Sequence, residues 1–482
     1  MKHNIARLLL IAMLVSLAAC GGESGTAADT TAADTTAAVT EPPLTDNLPE
    51  RDMGGFELGI YIPKPESFGW ALRAIDVTET NGEVLNDAIF ERNRRVEERF
   101  NCKVFELQQS GTATSGLSNA VLAGDNTFKL GMIFDTSVIS LINSGTLTAW
   151  DDVPYIDLEA DWWNQSASDT YTVSDKIYGT AGDFNLSEYS KAYMVYFNKD
   201  IYAEIKQDVS LYDLVLDGKW TLDRFTTIAK QYARDLNGDT KMDTSDQWGY
   251  VSVPKVGMQL LISGAGVRYI EPDENGDPYF TVAENKAYFD KMQTILNKFI
   301  GSEGWYHQNP DPMGGMYDDL FMEGKVMFQA ASIWDTDKYR EVEHDIGMLP
   351  SPKYDDNQKE YHCVTAGGLI SVLPKSLSPE ELENVGIMLE ALSFDSRQNV
   401  LPIYKETVLK GKYARDEESI EIIDIIFDAA SFDAGVLLWG TVRENYMRGP
   451  FSTLNDTMAS TTETIRSTLE SAIQTTVDAV KE

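Results

Sequence analysis

The chain has 482 residues, with 76 acidic against 40 basic side chains and a formal net charge of −36. That balance excludes a face built for nucleic acid, whose phosphates require clustered Lys and Arg, and electrostatic docking on anionic lipid. Ordinary apolar content over this length exceeds what one domain holds and predicts two lobes, while three cysteines are too few for a disulfide framework.

Lys2 and Arg7 precede an apolar run, Leu8 to Leu17, which ends in Ala18, Ala19 and Cys20. Basic, apolar and small residues in that order make a secretory signal, and the run is about half of the ~20 residues a membrane span needs. A cysteine directly after the small residues resembles the bacterial lipoprotein signal. That resemblance implies removal of the signal before Cys20, diacylation of its thiol, and a protein held on the extracytoplasmic face of the cell membrane. Residues 21–50 follow as a tether. Gly21 to Glu41 repeats Thr-Ala-Ala-Asp-Thr from Thr26 and from Thr31 and has no aromatic residue, so it buries too little surface to fold. Pro42-Pro43 stiffens its end.

Phe56, Leu58, Ile60 and Ile62 alternate and predict a strand. A helix is expected from Asn86-Asp87, with Ile89, Val96 and Phe100 inward and Glu91, Arg94, Arg95 and Glu98 outward. Strands at Val104-Phe105 and Phe128–Phe134 complete an α/β lobe. A second region opens near Asp161. Tyr193–Phe197 reads as a strand, and Thr221 caps a helix whose face is Leu222, Phe225, Ile228 and Tyr232, with Trp220 stapled onto Phe225. Tyr288, Met292, Ile295 and Phe299 mark another helix, stopped by Gly301. Gly368–Leu373 reads as a returning strand, so the chain passes between lobes more than once. Ser378-Pro379-Glu380-Glu381 is a capping box with proline at the first helical position. Ile465, Leu469, Ile473 and Val480 predict a long amphipathic C-terminal helix.

Asp235, Asn237, Asp239, Asp243 and Asp246 fall at positions 1, 3, 5, 9 and 12 of a loop, with the carbonyl of Lys241 at 7. A hard cation needs six or more converging oxygens, and this is the spacing of a calcium loop. Thr240 at position 6, where glycine is preferred, and Asp246 at 12, where a bidentate Glu is preferred, depart from it. The alternative is an acidic turn closed by Asx hydrogen bonds. Structural Ca2+ is the one ion expected, and no catalytic cofactor. His3, His307, His344 and His362 have no zinc spacing, and no Gly-x-Ser-x-Gly elbow is present. Nine tryptophans stand mostly in loops or at strand ends. Core packing is the default for any single tryptophan and is the reading for Trp150, Trp220 and Trp248; an exposed indole face can instead stack on a sugar ring beside carboxylates and amides that bind hydroxyls.

Signal, tether and two α/β lobes resemble the family 1 extracellular solute-binding proteins, substrate-capturing subunits of ABC importers, many of the sugar-binding type. The resemblance covers nearly the whole mature chain and rests on the order of several motifs. These are Asn86–Ile89 through Val96–Phe100, Leu141–Leu147, Lys176–Gly179 leading to Tyr196–Lys199, and Phe321–Phe328. It implies an α/β, two-lobed periplasmic-binding-protein-like fold of type II with its ligand cleft between the lobes. Lobe 1 is expected to span 51–180 with about 365–410, and lobe 2 to span 181–364 with about 411–482. The maltose-binding branch of the family implies ligand contacts from Trp334, Trp439 and Asp183; Asp135, just past the strand Lys129–Phe134, is expected to face the cleft from that strand's carboxyl end, and Trp70 and Trp163 are further positions. The implied partners are a carbohydrate, an oligosaccharide more than a single sugar, and an ABC permease; a monomer is expected. A surface-anchored glycoside hydrolase and a binding protein for a peptide or other polar solute are the alternative readings.

Overall fold

The computed structural model describes residues 45–68, 74–111, 113–302, 304–306, 316–409 and 417–481. The signal segment, Cys20, Trp70 and most of the tether lie outside them. The compact body starts at Asp46, earlier than the tether's expected end at residue 50. The cause is local: Arg99 pairs with Asp46, and Leu48 packs on the first lobe's core.

Ten strands build two sheets. In chain order they are β1 (Phe56–Pro63), β2 (Cys102–Gln109), β3 (Leu130–Phe134), β4 (Leu147–Thr148), β5 (Tyr193–Asn198), β6 (Trp248–Val251), β7 (Trp305–Tyr306), β8 (Val326–Ser332), β9 (Ile346–Leu349) and β10 (Leu369–Pro374). The first sheet runs β2-β1-β3-β10-β4, and the second runs β7-β6-β8-β5-β9. β1 pairs in parallel with β2 and β3, while β10 returns antiparallel to β3. Apart from its first two residues β1 is buried on both faces, as a parallel strand covered by helices must be, rather than half-buried as its alternation suggested.

Helix Pro379–Asn399 covers the first sheet together with helix Val84–Phe100. Its start carries both capping-box bonds, Glu381 N–H to Ser378 Oγ (3.3 Å) and Ser378 N–H to Glu381 Oε2 (2.8 Å). The covering helices are also tied by buried polar groups. Arg92 donates to the Phe184 carbonyl (3.1 Å) and Ser396 Oγ (3.2 Å). Glu390, 1% exposed, accepts the indole N–H groups of Trp162 (2.9 Å) and Trp163 (2.8 Å).

In the second lobe the Leu222–Tyr232 helix starts at a Thr221 cap, and Trp220 packs edge-on against Phe225 at 5.9 Å. Helix Lys286–Phe299 ends just before Gly301, whose φ of +66° completes the turn. Cys102 and Cys363 are buried free thiols.

The C-terminal helix Met458–Lys481 buries Ile465, Leu469, Ile473 and Val477. It packs on the first-lobe helix Val138–Asn143 as well as on the second-lobe hairpin strand Pro278–Phe280. The helix expected with lobe 2 thus also packs on a first-lobe helix, its apolar face being wide enough for both contacts.

Burial pushes the carboxyl of Glu390 up to about 7 and those of Asp135 and Asp433 up to about 6. Each folded-state value lies above that of an unfolded chain, so the unfolded form releases its proton first. The stability these groups contribute is full below about pH 4 and is lost as pH rises through 6 to 7. Urea midpoints should fall between pH 5 and pH 8, and Glu390→Gln should flatten that fall. Glu390→Ala, which strands two buried indole donors, should cost about 3 kcal/mol at pH 5.

Candidate functional site

In sheets of this kind ligands meet the carboxyl ends of the parallel strands. β1 and β3 end at Pro63 and Phe134, and the antiparallel β10 begins at the same edge, Leu369 pairing with Phe134. In the second sheet β6 and β8 end at Val251 and Ser332, and β5 begins opposite Ser332 at Tyr193. Two short crossings join these edges. Thr180 bridges to Ser371, and Ala192 bridges to Thr365. A third passage, Ala430–Ser431, pairs in parallel with Cys363–Val364. The two carboxyl edges are thus yoked by three adjacent passages of chain, and by the strand-end rule that junction is where a ligand cleft is expected.

Tyr193 marks that meeting point. Burial pushes its phenol up to about 12, and the negative charges of Asp335 and Asp135 push the same way while Arg443 opposes them. One group of the first lobe, one of the second and one of the C-terminal region therefore act on a single half-buried tyrosine. Beside it, Lys191 holds its ammonium 4.6 Å from the centre of the Trp334 ring.

The carboxylates here are fixed by backbone. Asp135 is fully buried. Its Oδ2 accepts the N–H groups of Gly367 (2.6 Å) and Gly368 (3.2 Å), and its Oδ1 that of Thr136 (2.6 Å). Asp335 Oδ2 accepts Ser332 N–H (2.9 Å) and the Ser332 hydroxyl (2.8 Å). The arrangement sets one partly open indole beside carboxylates that the protein's own N–H and hydroxyl groups hold in place.

The expected site residues separate on this geometry. Trp150, Trp162, Trp163, Trp220, Trp248, Trp305 and Trp439 are all buried, so among the described residues only Trp334 keeps a partly open indole. Trp163 is core: its N–H is used by Glu390, and its ring packs against Trp150 and Phe184. Trp439 lines hollows that include neither Trp334 nor Asp135. Asp183 is 1% exposed, ion-paired to Arg397 (Oδ2 to Nε, 2.5 Å) and hydrogen-bonded by the Tyr189 hydroxyl at 2.5 Å. Burial raises its carboxyl and that of its buried neighbour Glu188, while Arg397 pulls both down. Asp183 therefore braces the first crossing. Asp135 stands at the predicted edge, but its oxygens are spent on the hinge. Tyr193, Lys191 and Arg443 were missed. Tyr193 was legible as a strand start, but neither basic residue belongs to a spacing that marks it.

The Asp235–Asp246 loop closes on itself. Asp235 accepts the N–H groups of Gly238 (2.7 Å) and Thr240 (2.8 Å). Asn237 accepts from Asp239, and Asp239 accepts from Lys241. Thr240 takes a φ of +68°, the conformation for which glycine is preferred. Asp246 is fully buried and turned onto backbone, accepting Leu236 N–H (2.9 Å) and Asp243 N–H (2.8 Å). Among the described residues no three His, Cys, Asp or Glu side chains converge as metal ligands. The loop is held by Asx turns between its own side chains and backbone. Asp246→Ala should cost about 2 kcal/mol by stranding two N–H donors. The calcium expectation is checked by thermal unfolding: a self-closed turn predicts equal melting temperatures in calcium and in chelator, and a bound metal predicts a rise of several degrees with calcium.

No family model and no curated protein matches the sequence. Solved structures do match the fold. The sugar-binding protein MalE from Xanthomonas citri aligns at a TM-score of 0.58 and 11% identity, over 87% of this chain and 97% of that one. The cyclic α-maltosyl-1,6-maltose binding protein from Arthrobacter globiformis aligns at 0.56 and 12%, over 89% and 100%. A cyclo/maltodextrin-binding protein complexed with maltotetraose aligns at 0.52 and 13%, over 88% and 96%. The chain has the two-lobed fold of the MalE-like solute-binding proteins, the class of architecture its hinge and cleft define.

Proposed function

We propose that this chain is the membrane-anchored, extracytoplasmic substrate-binding component of an ABC importer, and that it captures a carbohydrate by closure of its lobes. The observation that carries the reading is the joining of two carboxyl sheet edges by three adjacent passages of chain, with Trp334 and Tyr193 at the junction. Ligand bound between hinged lobes selects the closed arrangement, which a permease then recognises. Trp334 supplies stacking area, and Tyr193, Lys191 and Arg443 supply hydrogen bonds. An oligosaccharide is the proposed ligand, and solved structures of the same fold include one named for cyclo/maltodextrin and one named for cyclic α-maltosyl-1,6-maltose.

The anchor belongs to the same reading. Among the described residues no helix is long and apolar enough to cross a membrane, and Cys20 supplies the lipid attachment. The acyl chain and tether hold the capturing body at high local concentration beside its permease.

Calorimetry with maltotetraose should show saturable binding, and a ligand at 100 times its Kd should add about 2.7 kcal/mol to stability. Trp334→Ala should weaken binding by about tenfold or more. Turnover of a chromogenic glycoside, or thermal shifts with peptides and none with sugars, would overturn the reading. Cys20→Ser should release the protein from the membrane and leave the affinity of the purified body unchanged.

A further inference from the structure

The first crossing buries more negative than positive charge. Asp183 and Glu188, on the stretch between Thr180 and Ala192, are 1% and 2% exposed. One guanidinium serves both. Arg397, on the Pro379–Asn399 helix of the first lobe, reaches Asp183 Oδ2 with Nε at 2.5 Å and Asp183 Oδ1 with Nη2 at 3.3 Å. Asn164 stands beside Glu188, but neither oxygen of that carboxyl is met by a donor in hydrogen-bond geometry. The other charged and titratable groups around the pair are Tyr189 on the crossing itself, Lys405 on the helix Leu401–Leu409, and Asp161 beside Arg397.

The same cluster joins the lobes. The Tyr189 hydroxyl donates to Asp183 Oδ1 at 2.5 Å, and the Tyr189 ring stacks on Phe427, with centroids 4.8 Å apart and planes 18° from parallel. Phe427 belongs to the helix Glu417–Asp428, which packs on β9 of the second sheet. Lys405 pairs with Asp424 of that helix at 2.5 Å, so its charge is already matched. A path of contacts therefore runs from the helix covering the first sheet, through Arg397, Asp183 and Tyr189, into the second lobe.

With both acids ionised, two buried negative charges would share a single guanidinium, and a buried charge without its own partner is costly. One proton therefore stays on the pair. We propose that this proton makes the first crossing a pH-gated hinge: while Asp183 and Glu188 share it, Tyr189 is clamped between the lobes, and when it leaves to solvent the repulsion of the two carboxylates loosens the clamp. Arg397, with 29% of its side chain exposed, is the edge of the cluster that faces water. Burial raises both carboxyls, and the charge of Asp183 raises Glu188 further, while Arg397 pulls both down. A proton held more tightly in the buried arrangement than in a hydrated one favours the buried arrangement at low pH, and that contribution is lost as pH rises past about 7. The lobes thus move against each other more freely as pH rises. The proposal does not depend on what the cleft binds.

The test is amide hydrogen exchange of the full chain at about pH 6 and about pH 8.5, corrected for intrinsic rates, with residues 183–190 compared against β2. In the wild type the crossing should lose about tenfold or more of its protection relative to β2 at the higher pH. Glu188→Gln keeps the shape of the protonated acid, and Asp183→Asn leaves one carboxylate for Arg397. Each variant should hold its protection at the crossing within about twofold between the two pH values, and if one does not fold the other decides. Asp135, which holds Gly367 and Gly368 at the neighbouring passage, is untouched in both. A fall with pH that persists in the variants would assign the effect to Asp135 and overturn the proposal. Wild-type protection that does not change with pH would overturn it too, as would an equal loss at both pH values in the variants, the mark of a structural role alone.

Discussion

The architecture depends on one constraint: the chain crosses between its lobes through buried backbone, and buried N–H and C=O groups must be paired. The hinge meets that demand with side chains as much as with sheet. Asp135 receives the N–H groups of Gly367 and Gly368, and Asn185 Nδ2 donates to the Leu369 carbonyl at 2.8 Å. Ser187 Oγ accepts the Leu369 N–H at 3.1 Å, and Asp433 accepts the N–H of Tyr269 at 3.0 Å. The bonds to Asp135 and Leu369 fix where β3 ends and β10 begins, and therefore where the first carboxyl edge lies.

The same constraint reassigns the acidic residues. Two of the carboxylates best placed to greet a ligand, Asp135 and Asp335, hold backbone instead, and Asp183 holds Arg397. A buried carboxylate is costly unless it accepts several hydrogen bonds, and near a hinge the nearest donors are the crossing strands' own N–H groups. In the proposed function, recognition falls to groups with apolar bodies and polar tips, Trp334, Tyr193 and Lys191. That division suits a binding cleft, since rigid dipoles orient a ligand without themselves reorganising.

The tryptophans show where sequence reading met its limit. An indole in a loop looks available, but in a chain of this size loops fold back over helices and take their aromatics with them. Trp162 and Trp163 are drawn inward because Glu390, more than two hundred residues later, offers a buried acceptor to both. Arg92 likewise vanishes into contacts with Phe184 and Ser396. Neither burial has a local signature, because each partner arrives from a distant segment. The calcium-like loop teaches the same lesson at short range: its oxygens stand in ligand order, and local N–H groups compete for them.

Local physics settled much of this protein from sequence alone. Strand β1, the Thr221 cap with its Trp220 staple, the Ser378 capping box and the apolar face of the C-terminal helix follow from propensity, capping and periodicity, which act over a few residues. The two-lobed architecture was legible from length and from the order of the elements. Only the tertiary structure decided which side chains face the cleft, that the C-terminal helix serves both lobes, and that Asp183 and Trp163 belong to the interior. Those outcomes depend on pairings between residues tens to hundreds of positions apart, where burial and hydrogen-bond demand, not local preference, choose the partner.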